Sequence, residues 1–392
     1  MPAWTIRNIF DMIPVNEPAL GREELALVTA CVKSNWISSQ GSFLQELEEG
    51  FARYCGVRYG ISVTNGTAAL HLALAALSIG PGDEVLVPTF TMAATAFAVC
   101  YCGARPVFID AEPETFALDV NRVADYLRRQ EKRGTLKAKA IIPVHLYGHP
   151  MDLDPLLEIA RRYSLAVVED AAEVHGAEYK GKRCGGLGDA GCFSFYANKI
   201  ITTGEGGMVV TDNPRLADRA RRLKDLAHDP RQRFLHTELG FNYRMTNLQA
   251  ALGIAQLKKI ERHIQKKRWM AAEYHRRLAD ISGLTLPGEK PWAKNVYWMY
   301  SLLVEPEFGL TRDQLMQALR ENGVDTRSFF IPMHLQPVFR QGRHKAKKNG
   351  PFPIAEALAQ KGLYLPSGLT LTGSQIQYVC RQVKKAAQAG RR

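Results

Sequence analysis

Residues 194–212, "SFYANKIITTGEGGMVVTD", place one lysine, Lys199, between an apolar aromatic strand and a glycine-rich run that returns to "MVV". A buried lysine without a partner is unfavourable. Such a residue pairs with an acid, reaches the surface, or has a lowered pKa and reacts as a neutral amine. The glycines after Lys199 disfavour a helix and allow backbone to pass close by. The stretch therefore favours covalent chemistry by the Lys199 amine.

The chain around this stretch, from about 56 to 212, alternates short apolar runs with helical patterns. This alternation is typical of a mostly parallel sheet covered by helices, so the predicted fold class is α/β. Helices are predicted over 67–77 and 152–162, the second capped by Asp154 before a first-turn proline. The predicted strands are "YGISVT", "DEVLVP", "RPVFID", "AIIPVHLY", "LAVVED", "CFSFY" and "GMVVTD".

The C-terminal part of the chain has a different pattern. Apolar residues at helical spacing predict one long helix from about 246 to 280, long enough to link two domains. The run "VYWMYSLLV", a helix at 311–322 and a final helix from about 372 then indicate a smaller α/β domain. We divide the chain into an N-terminal extension (1–12), a large domain (13–255) and a small C-terminal domain (256–392).

Composition limits the classes of protein that fit. The 392 residues are 46% hydrophobic, without an apolar run long enough to cross a bilayer or a signal-peptide pattern at the N-terminus, so we expect a cytoplasmic protein. Seven cysteines without a C-x-x-C pair indicate reduced thiols and no metal site. The net charge of +12 predicts an anionic partner, either nucleic acid or a phosphorylated metabolite.

Two glycine patterns resemble nucleotide-binding motifs but lack their context. Residues 176–183, "GAEYKGKR", have the spacing of a phosphate loop, yet Arg183 stands where a magnesium-binding Ser or Thr is required. Residues 186–191, "GLGDAG", precede a predicted strand instead of following one. We interpret the two as a surface hairpin and a turn.

Two further stretches supply groups that a reactive lysine needs. In residues 63–77, "VTNGTAALHLALAAL", a strand runs through Gly66 into a helix near Thr67, where free amides and the helix dipole favour a phosphate. An ordinary capped core helix is the alternative. In residues 165–176, "LAVVEDAAEVHG", Asp170 ends a central strand and points to the ligand-binding edge, unless it is a helix cap or part of a structural ion pair.

Together these residues match the requirements of pyridoxal 5′-phosphate (PLP). This cofactor needs a Schiff-base lysine, an acid at its pyridine nitrogen and a phosphate-binding cup. Lys199 and Asp170 match the first two, and Gly66 and Thr67 with Ser194 match the third. Residues 240–253, "GFNYRMTNLQAALG", form a polar aromatic cluster that is either a solvated loop or part of a site, in this chain or in a partner subunit.

With these motifs, the sequence resembles the sugar aminotransferases of the DegT/DnrJ/EryC1/StrS family, from about Ile13 to residue 385. This resemblance implies the fold-type I aminotransferase architecture. Beyond the stretches already quoted, it rests on "IPVNEPALGREE", "SNWISSQG", "VHLYGHPMDLDPL" and "GLYLPSG".

The resemblance also implies roles for single residues. Lys199 is the Schiff-base lysine, Asp170 pairs with the pyridine nitrogen, and Glu173 lies near the cofactor's phenolic oxygen. Gly66, Thr67 and Ser194 contact the phosphate, joined by Asn242 from the neighbouring subunit of a homodimer with shared active sites. Met92 stands where the family usually has an aromatic side chain stacked on the ring, which bears on cofactor affinity.

Within the family, "NWISSQG", "HLYGHPMD" and "FNYRMTN" are most similar to enzymes that aminate C4 of a GDP-linked 4-keto-6-deoxymannose for surface polysaccharide (O-antigen) synthesis. The donor would be L-glutamate, with the cofactor passing through its pyridoxamine form (PMP). The predicted sugar contacts are Trp36, Ser38, Ser39, Arg244 and His334.

The sequence is compatible with several alternative residue roles and functions. His334, beside a proline, is equally compatible with a cap on local backbone, and Tyr297 and Trp298 are equally compatible with a core position. Enzymes acting on UDP- or dTDP-linked keto sugars, at C4 or C3, share most of the motifs. The basic charge alone favours a nucleic-acid or regulatory protein on an aminotransferase scaffold; the resemblance implies a small-molecule enzyme with no nucleic-acid or membrane partner.

Overall fold

The computed structural model describes residues 12–341 and 349–390, so the predicted N-terminal extension lies almost wholly outside the described residues. The helices are α1 (Arg22–Ser34), α2 (Ser42–Cys55), α3 (Gly66–Ala76), α4 (Ala93–Tyr101), α5 (Val120–Lys132), α6 (Asp154–Tyr163), α7 (Pro214–Lys224), α8 (Asn247–Leu257), α9 (Ile260–Leu278), α10 (Arg312–Glu321), α11 (Pro337–Arg340), α12 (Pro353–Lys361) and α13 (Gly373–Gly390). The strands are β1 (Tyr59–Val63), β2 (Glu84–Pro88), β3 (Arg105–Ile109), β4 (Ala138–Ile141), β5 (Ala166–Asp170), β6 (Glu178–Tyr179), β7 (Lys182–Arg183), β8 (Ala190–Ser194), β9 (Gly207–Thr211), β10 (Leu284–Thr285), β11 (Ala293–Lys294), β12 (Tyr300–Val304), β13 (Arg327–Ser328) and β14 (Gly362–Leu365).

The predicted α/β class is confirmed by a seven-stranded sheet in the order β1-β9-β8-β5-β4-β2-β3. Strand β9 runs antiparallel to its neighbours β1 and β8, while the remaining pairs are parallel. The carboxyl ends of β1, β2, β5 and β8 therefore meet at one edge of the sheet, which is where open α/β sheets bind ligands. Lys199 follows β8 at this edge.

A second sheet, β10-β12-β14-β13, is antiparallel and lies in the C-terminal part of the chain. Buried apolar side chains form one cluster around the large sheet and another between this second sheet and helices α9, α10 and α13. Two cores of this kind are compatible with the predicted large and small domains, although the boundary at residue 255 stays a prediction. Among the helices of the described residues, none is both long and apolar enough to cross a membrane.

The predicted helix from 246 to 280 is wrong as a single element, because it is divided into α8 and α9. Helix α8 packs on α1 and α2, whereas α9 packs on α13. The chain changes direction at Lys259 (φ −105°, ψ 0°), whose ammonium is held by the carboxylates of Glu23 and Glu24 on α1. No proline or glycine marks this break, so the helical periodicity gave no signal of it.

Two other expectations need correction. The strand predicted over "AIIPVHLY" ends at Ile141, because Pro143 has no N–H for the ladder, and only an isolated bridge joins Val144 to Asp170. Asp154 is the first helical residue of α6 and does not cap it, since Leu153 takes the cap position. Its carboxylate pairs with Lys180 in the hairpin formed by β6 and β7.

The hairpin and turn predicted from the two glycine patterns are confirmed. Strands β6 and β7 pair antiparallel, and residues 186–189 form bends before β8. The amides of Gly185, Leu187 and Gly188 each donate to the buried carboxylate of Glu169 at 2.7 Å. Amides that a nucleotide phosphate would need are therefore already bound within the chain.

Candidate active site

A cavity of about 650 Å³ opens at the sheet edge where the four strands end. Seven of the residues predicted to bind the cofactor line it, and Asn242, the eighth, does not. Because these seven come from four separate stretches of the large-sheet region, the fold brings together residues that are up to 133 positions apart, from Gly66 to Lys199. The seven are Gly66, Thr67, Met92, Asp170, Glu173, Ser194 and Lys199.

The N-terminus of α3 forms one end of this cavity. Asn65 caps the helix through its side-chain oxygen, which accepts from the Ala68 amide at 2.8 Å, while the preceding amides have no acceptor within the helix. A Cβ at Gly66 would lie 2.7 Å from Cβ of Ser194, so only glycine allows β8 to approach here. Free amides, a helix dipole and two hydroxyls suit a phosphate group.

Lys199 lies deeper in the cavity, with 10% of its side chain exposed. Its ammonium is 3.9 Å from the Glu173 carboxylate and 3.7 Å from the centroid of the Trp298 ring. Burial lowers the pKa of Lys199, and the charges of Glu173 and Asp170 partly oppose that shift. The surface alternative for Lys199 is therefore excluded, and the amine is poised to lose its proton more readily than an ordinary lysine.

Asp170 ends β5 and is buried below the lysine. One carboxylate oxygen accepts from the Thr95 hydroxyl at 2.7 Å and the other accepts from the Ala172 amide at 3.3 Å. Burial raises the pKa of Asp170, and the Thr95 hydrogen bond acts in the opposite direction. Among the described residues no basic side chain forms an ion pair with Asp170, so the ion-pair alternative fails.

Its neighbour Glu169 has the structural role that Asp170 lacks. Besides the three amides of the turn, the Glu169 carboxylate contacts Nε2 of His145 at 3.1 Å. Because Nδ1 of His145 accepts from the Met151 amide, its Nε2 carries the proton and donates to Glu169. Adjacent carboxylates thus face opposite ways, one into the core and one toward the cavity.

Glu173 follows β5 and is also buried. Its Oε2 accepts from the Tyr147 amide at 2.7 Å, and its Oε1 is the atom nearest the Lys199 ammonium. Burial raises the pKa of Glu173 to about 7, against the opposing charge of Lys199. This carboxyl can therefore exchange a proton near neutral pH.

Glu173→Gln is expected to reduce the pH dependence of stability between about pH 4.5 and pH 7. The folded-state pKa lies above the ordinary value of 4.5, so the folded protein binds more protons than the unfolded chain in this window, and wild-type stability falls as pH rises through it. Glutamine does not titrate, so its advantage over wild type should grow with pH to at most about 3 kcal/mol.

The measurement is urea unfolding of the cofactor-free protein at several pH values across this window. Glu205→Gln, at an exposed carboxylate on the same cavity, is the matched control. An unchanged pH slope in the Glu173 variant would contradict the assignment of this titration to Glu173.

The site fits PLP in its donor set. It offers a buried amine, a buried carboxylate that forms no ion pair among the described residues, and free amides at the N-terminus of α3 beside Ser194. Met92 caps α4, and its sulfur accepts from the Ala94 amide at 3.1 Å while lining the cavity. A thioether at this position offers an apolar face to a ring.

The residues predicted to contact the sugar do not line this cavity. The carbonyls of Trp36 and Ser38 accept hydrogen bonds from Asn247 at the start of α8. Arg244 pairs with Asp225 at 2.9 Å and with Asn242 at 2.8 Å. Like these residues, Ser39 and the exposed Asn242 lie outside the cavity of their own chain.

The side chain of His334 contacts side chains of other segments, not the local backbone that its alternative role as a cap requires. Its Nδ1 is hydrogen-bonded to the Thr89 hydroxyl at 2.7 Å, its Nε2 lies 3.2 Å from Glu356, and its ring stacks on Phe352. Burial lowers the pKa of His334. Sugar binding by His334 stays a prediction.

Sequence reasoning missed several residues of the site. The only sequence feature that indicates a role for Thr95 is its position four residues after Thr91. The two hydroxyls are hydrogen-bonded at 2.9 Å. Trp298 was considered equally compatible with a core position, and Phe330 and Tyr364 had no distinguishing pattern. These three come from the C-terminal part of the chain to line the cavity, more than 98 residues after Lys199 in sequence.

Known proteins with similar sequence and structure share this arrangement of the chain. A sequence profile of the DegT/DnrJ/EryC1/StrS aminotransferase family matches residues 18–384. GDP-perosamine synthase of Caulobacter vibrioides is 45% identical over 94% of this chain and 96% of its own length, and that of Escherichia coli O157:H7 is 40% identical over 95% and 98%. The crystal structure of DesI with its TDP-sugar product has a TM-score of 0.87 and 31% identity, covering 97% of this chain and 94% of DesI.

Proposed function

This chain belongs to the DegT/DnrJ/EryC1/StrS aminotransferase family, and from that premise we propose that it transfers an amino group from L-glutamate to a nucleotide-linked keto sugar. The family profile matches residues 18–384, almost the whole chain, so the protein is a PLP-dependent aminotransferase. When bound, PLP supplies a carbonyl carbon that carries the amino group and a ring that withdraws electrons from the reacting carbon.

We assign the roles of the site residues as follows. Lys199 would hold the cofactor in the resting enzyme, and its amine, once free, would act as the general acid–base that moves a proton between the two reacting carbons. The lowered pKa of Lys199 favours the neutral amine that this base role requires. Asp170 would keep the proton on the ring nitrogen, in a pocket where no basic side chain of the described residues forms an ion pair with it.

The other contacts hold the cofactor in place. The amides of Gly66 and Thr67, with the hydroxyl of Ser194, would bind the phosphate at the N-terminus of α3. Glu173 would lie near the phenolic oxygen, where its proton can be shared with that oxygen near neutral pH. Met92 would pack on the ring in place of an aromatic side chain.

The substrate we propose is GDP-4-keto-6-deoxy-D-mannose, giving GDP-perosamine for surface polysaccharide. The observation that carries this proposal is the similarity to GDP-perosamine synthases, at 45% and 40% identity over at least 94% of the chain. A TDP-linked keto sugar is the second candidate, because DesI shares the fold closely and binds a TDP-sugar product. The net charge of +12 suits either anionic substrate and glutamate.

We further propose a homodimer with shared active sites in the cytoplasm. Asn242, predicted to reach a phosphate, lies outside the cavity of its own chain. The loop that leads to it exposes large apolar side chains, including Phe234 at 74% and Leu239 at 93%, and Trp36 is 56% exposed. These exposed apolar side chains would suit an interface with a second copy, which supports the proposed sharing of Asn242 between subunits.

The test gives the purified enzyme glutamate together with GDP-, UDP- or dTDP-linked 4-keto-6-deoxy sugars and follows 2-oxoglutarate release. Turnover is expected with the GDP-linked sugar. Turnover only with a UDP- or dTDP-linked sugar would overturn the substrate while leaving the reaction class intact. Protein that binds no PLP and converts none of the sugars would overturn the aminotransferase proposal itself.

A further inference from the structure

Lys267, on α9, is a second buried lysine that the proposed chemistry does not use. It is 1% exposed, and its ammonium donates to the carbonyl oxygens of Trp298, at 2.9 Å, and Ser367. Among the described residues, no carboxylate forms an ion pair with it. Burial lowers the pKa of Lys267 to about 7. Burying an amine that has only carbonyl partners is less favourable than packing an apolar side chain at the same position. The two hydrogen bonds of Lys267 therefore indicate a role beyond packing.

The two carbonyls belong to segments that meet beneath the active site. Trp298 leads into β12, and Ser367 follows β14. The hydroxyl of Ser367 accepts from the Tyr300 amide at 2.9 Å and donates to the Leu365 carbonyl at 2.7 Å. Lys267 therefore joins both segments to α9 at one point.

The side chain of Trp298 extends from this anchored backbone to the reactive lysine. Its indole nitrogen donates to the carbonyl of Asn198, the residue before Lys199, at 2.8 Å. The face of the ring lies 3.7 Å from the Lys199 ammonium. The same residue is thus held by Lys267 through its carbonyl and contacts Lys199 through its ring.

The backbone next to Trp298 is irregular and depends on such anchors. Tyr297 has a left-handed φ of 47°, which is unfavourable for an aromatic residue. A Cβ at Gly148 would lie 2.5 Å from the Trp298 amide nitrogen, so the segment is also packed closely against the chain after β4. Because β12 begins only at Tyr300, regular ladder hydrogen bonds do not fix Trp298.

We propose that Lys267 is a positioning residue that fixes the Trp298 carbonyl so that the indole ring stays on Lys199 and sets the proton affinity of the Lys199 nitrogen. This inference rests on the proposed function, because its readout requires PLP bound to Lys199. An aromatic face attracts the charged form of a nitrogen, so the contact raises the affinity of Lys199 for its proton.

The titratable groups that interact with Lys199 or with its partner Glu173 must stay in place in the comparison. They come from the end of β5 and the segment after it, and from the aromatic side chains around Glu173. Asp170 and Glu173 act on Lys199 by charge, Lys199 acts on His175, and Glu173 acts on Tyr147 and Tyr364.

The experiment compares Lys267→Met with Tyr274→Phe in the PLP-loaded full-length protein. Tyr274 is the matched control, because it is buried on the same helix and donates to the Pro366 carbonyl, beside Ser367, without contacting Trp298. The readout is the pH midpoint at which the visible absorption band of the bound cofactor changes. Lys267→Met is expected to lower this midpoint by about half a pH unit or more, the shift for losing a cation–π contact, and Tyr274→Phe to leave it unchanged.

A second pair of variants tests whether the effect passes through the indole. Trp298→Leu should lower the midpoint by itself, and adding Lys267→Met should then lower it no further. If Lys267→Met does not fold, Lys267→Gln, which keeps an NH₂ donor, should give a smaller shift in the same direction.

An unchanged midpoint in a folded Lys267 variant would overturn the positioning role. So would a Lys267→Met substitution that shifts the midpoint as much in the Trp298→Leu background as in the wild-type protein. Wild-type protein without a titrating visible band would instead refute the proposed attachment of PLP to Lys199. The two failures are therefore distinguishable.

Discussion

Lys199→Ala is expected to abolish the visible absorption of the PLP-loaded protein and to reduce transamination by at least about 10³-fold, within the range for loss of a catalytic base. The substitution removes both the nitrogen that would bond the cofactor and the amine that would move the proton. Among the described residues, no other lysine lines the cavity, so the lining supplies no replacement amine. The measurements are the absorption spectrum after addition of PLP and 2-oxoglutarate release in the presence of glutamate and the keto sugar.

Lys266→Ala provides a control with a similar local contact. The Lys266 ammonium lies 3.8 Å from the centroid of the Trp269 ring, much as Lys199 lies on Trp298, but it projects from α9 away from the cavity lining. This variant should retain colour and turnover. An active, coloured Lys199→Ala protein would show that another lysine bonds the cofactor.

The sequence predicted those parts of the site that lie at the ends of regular elements. Gly66 begins α3, Asp170 ends β5 and Ser194 ends β8, so the ordinary rules for sheet edges and helix termini predict that they converge. Lys199 was identifiable because a single cation interrupts an apolar pattern.

The parts that were missed depend on packing between distant segments. Trp298 belongs to an aromatic run and Lys267 to a long helix. Their sequence patterns do not distinguish a residue at the active site from one in the core. The break between α8 and α9 has the same origin, since it follows from the packing of each helix on a different neighbour. Local propensity contains no information on such contacts.

Asp170→Asn is expected to lower kcat/KM by at least about 10²-fold without lowering the stability of the cofactor-free protein. Asparagine keeps the shape and can accept from the Thr95 hydroxyl, and its NH₂ would replace only the oxygen that makes the long 3.3 Å contact with the Ala172 amide. It cannot hold a proton on the ring nitrogen by charge. Burial raises the pKa of Asp170, so the stability of the wild-type protein falls as pH rises through that pKa and the carboxyl group ionises. The asparagine side chain does not titrate, so the variant lacks this pH dependence. The measurements are steady-state kinetics and urea unfolding.

Glu169→Gln should have the opposite signature and is therefore the decisive control. Glu169 accepts hydrogen bonds from three amides and from His145, so replacing one of its oxygens by an NH₂ group places a donor against donors. We expect a loss of about 2–4 kcal/mol in stability, with the colour and the turnover of the remaining folded protein retained. If Asp170→Asn instead destabilises the fold as much as Glu169→Gln and leaves kcat/KM of the folded protein intact, then Asp170 is a structural carboxylate. The ring nitrogen would in that case have to find its partner elsewhere in the cavity.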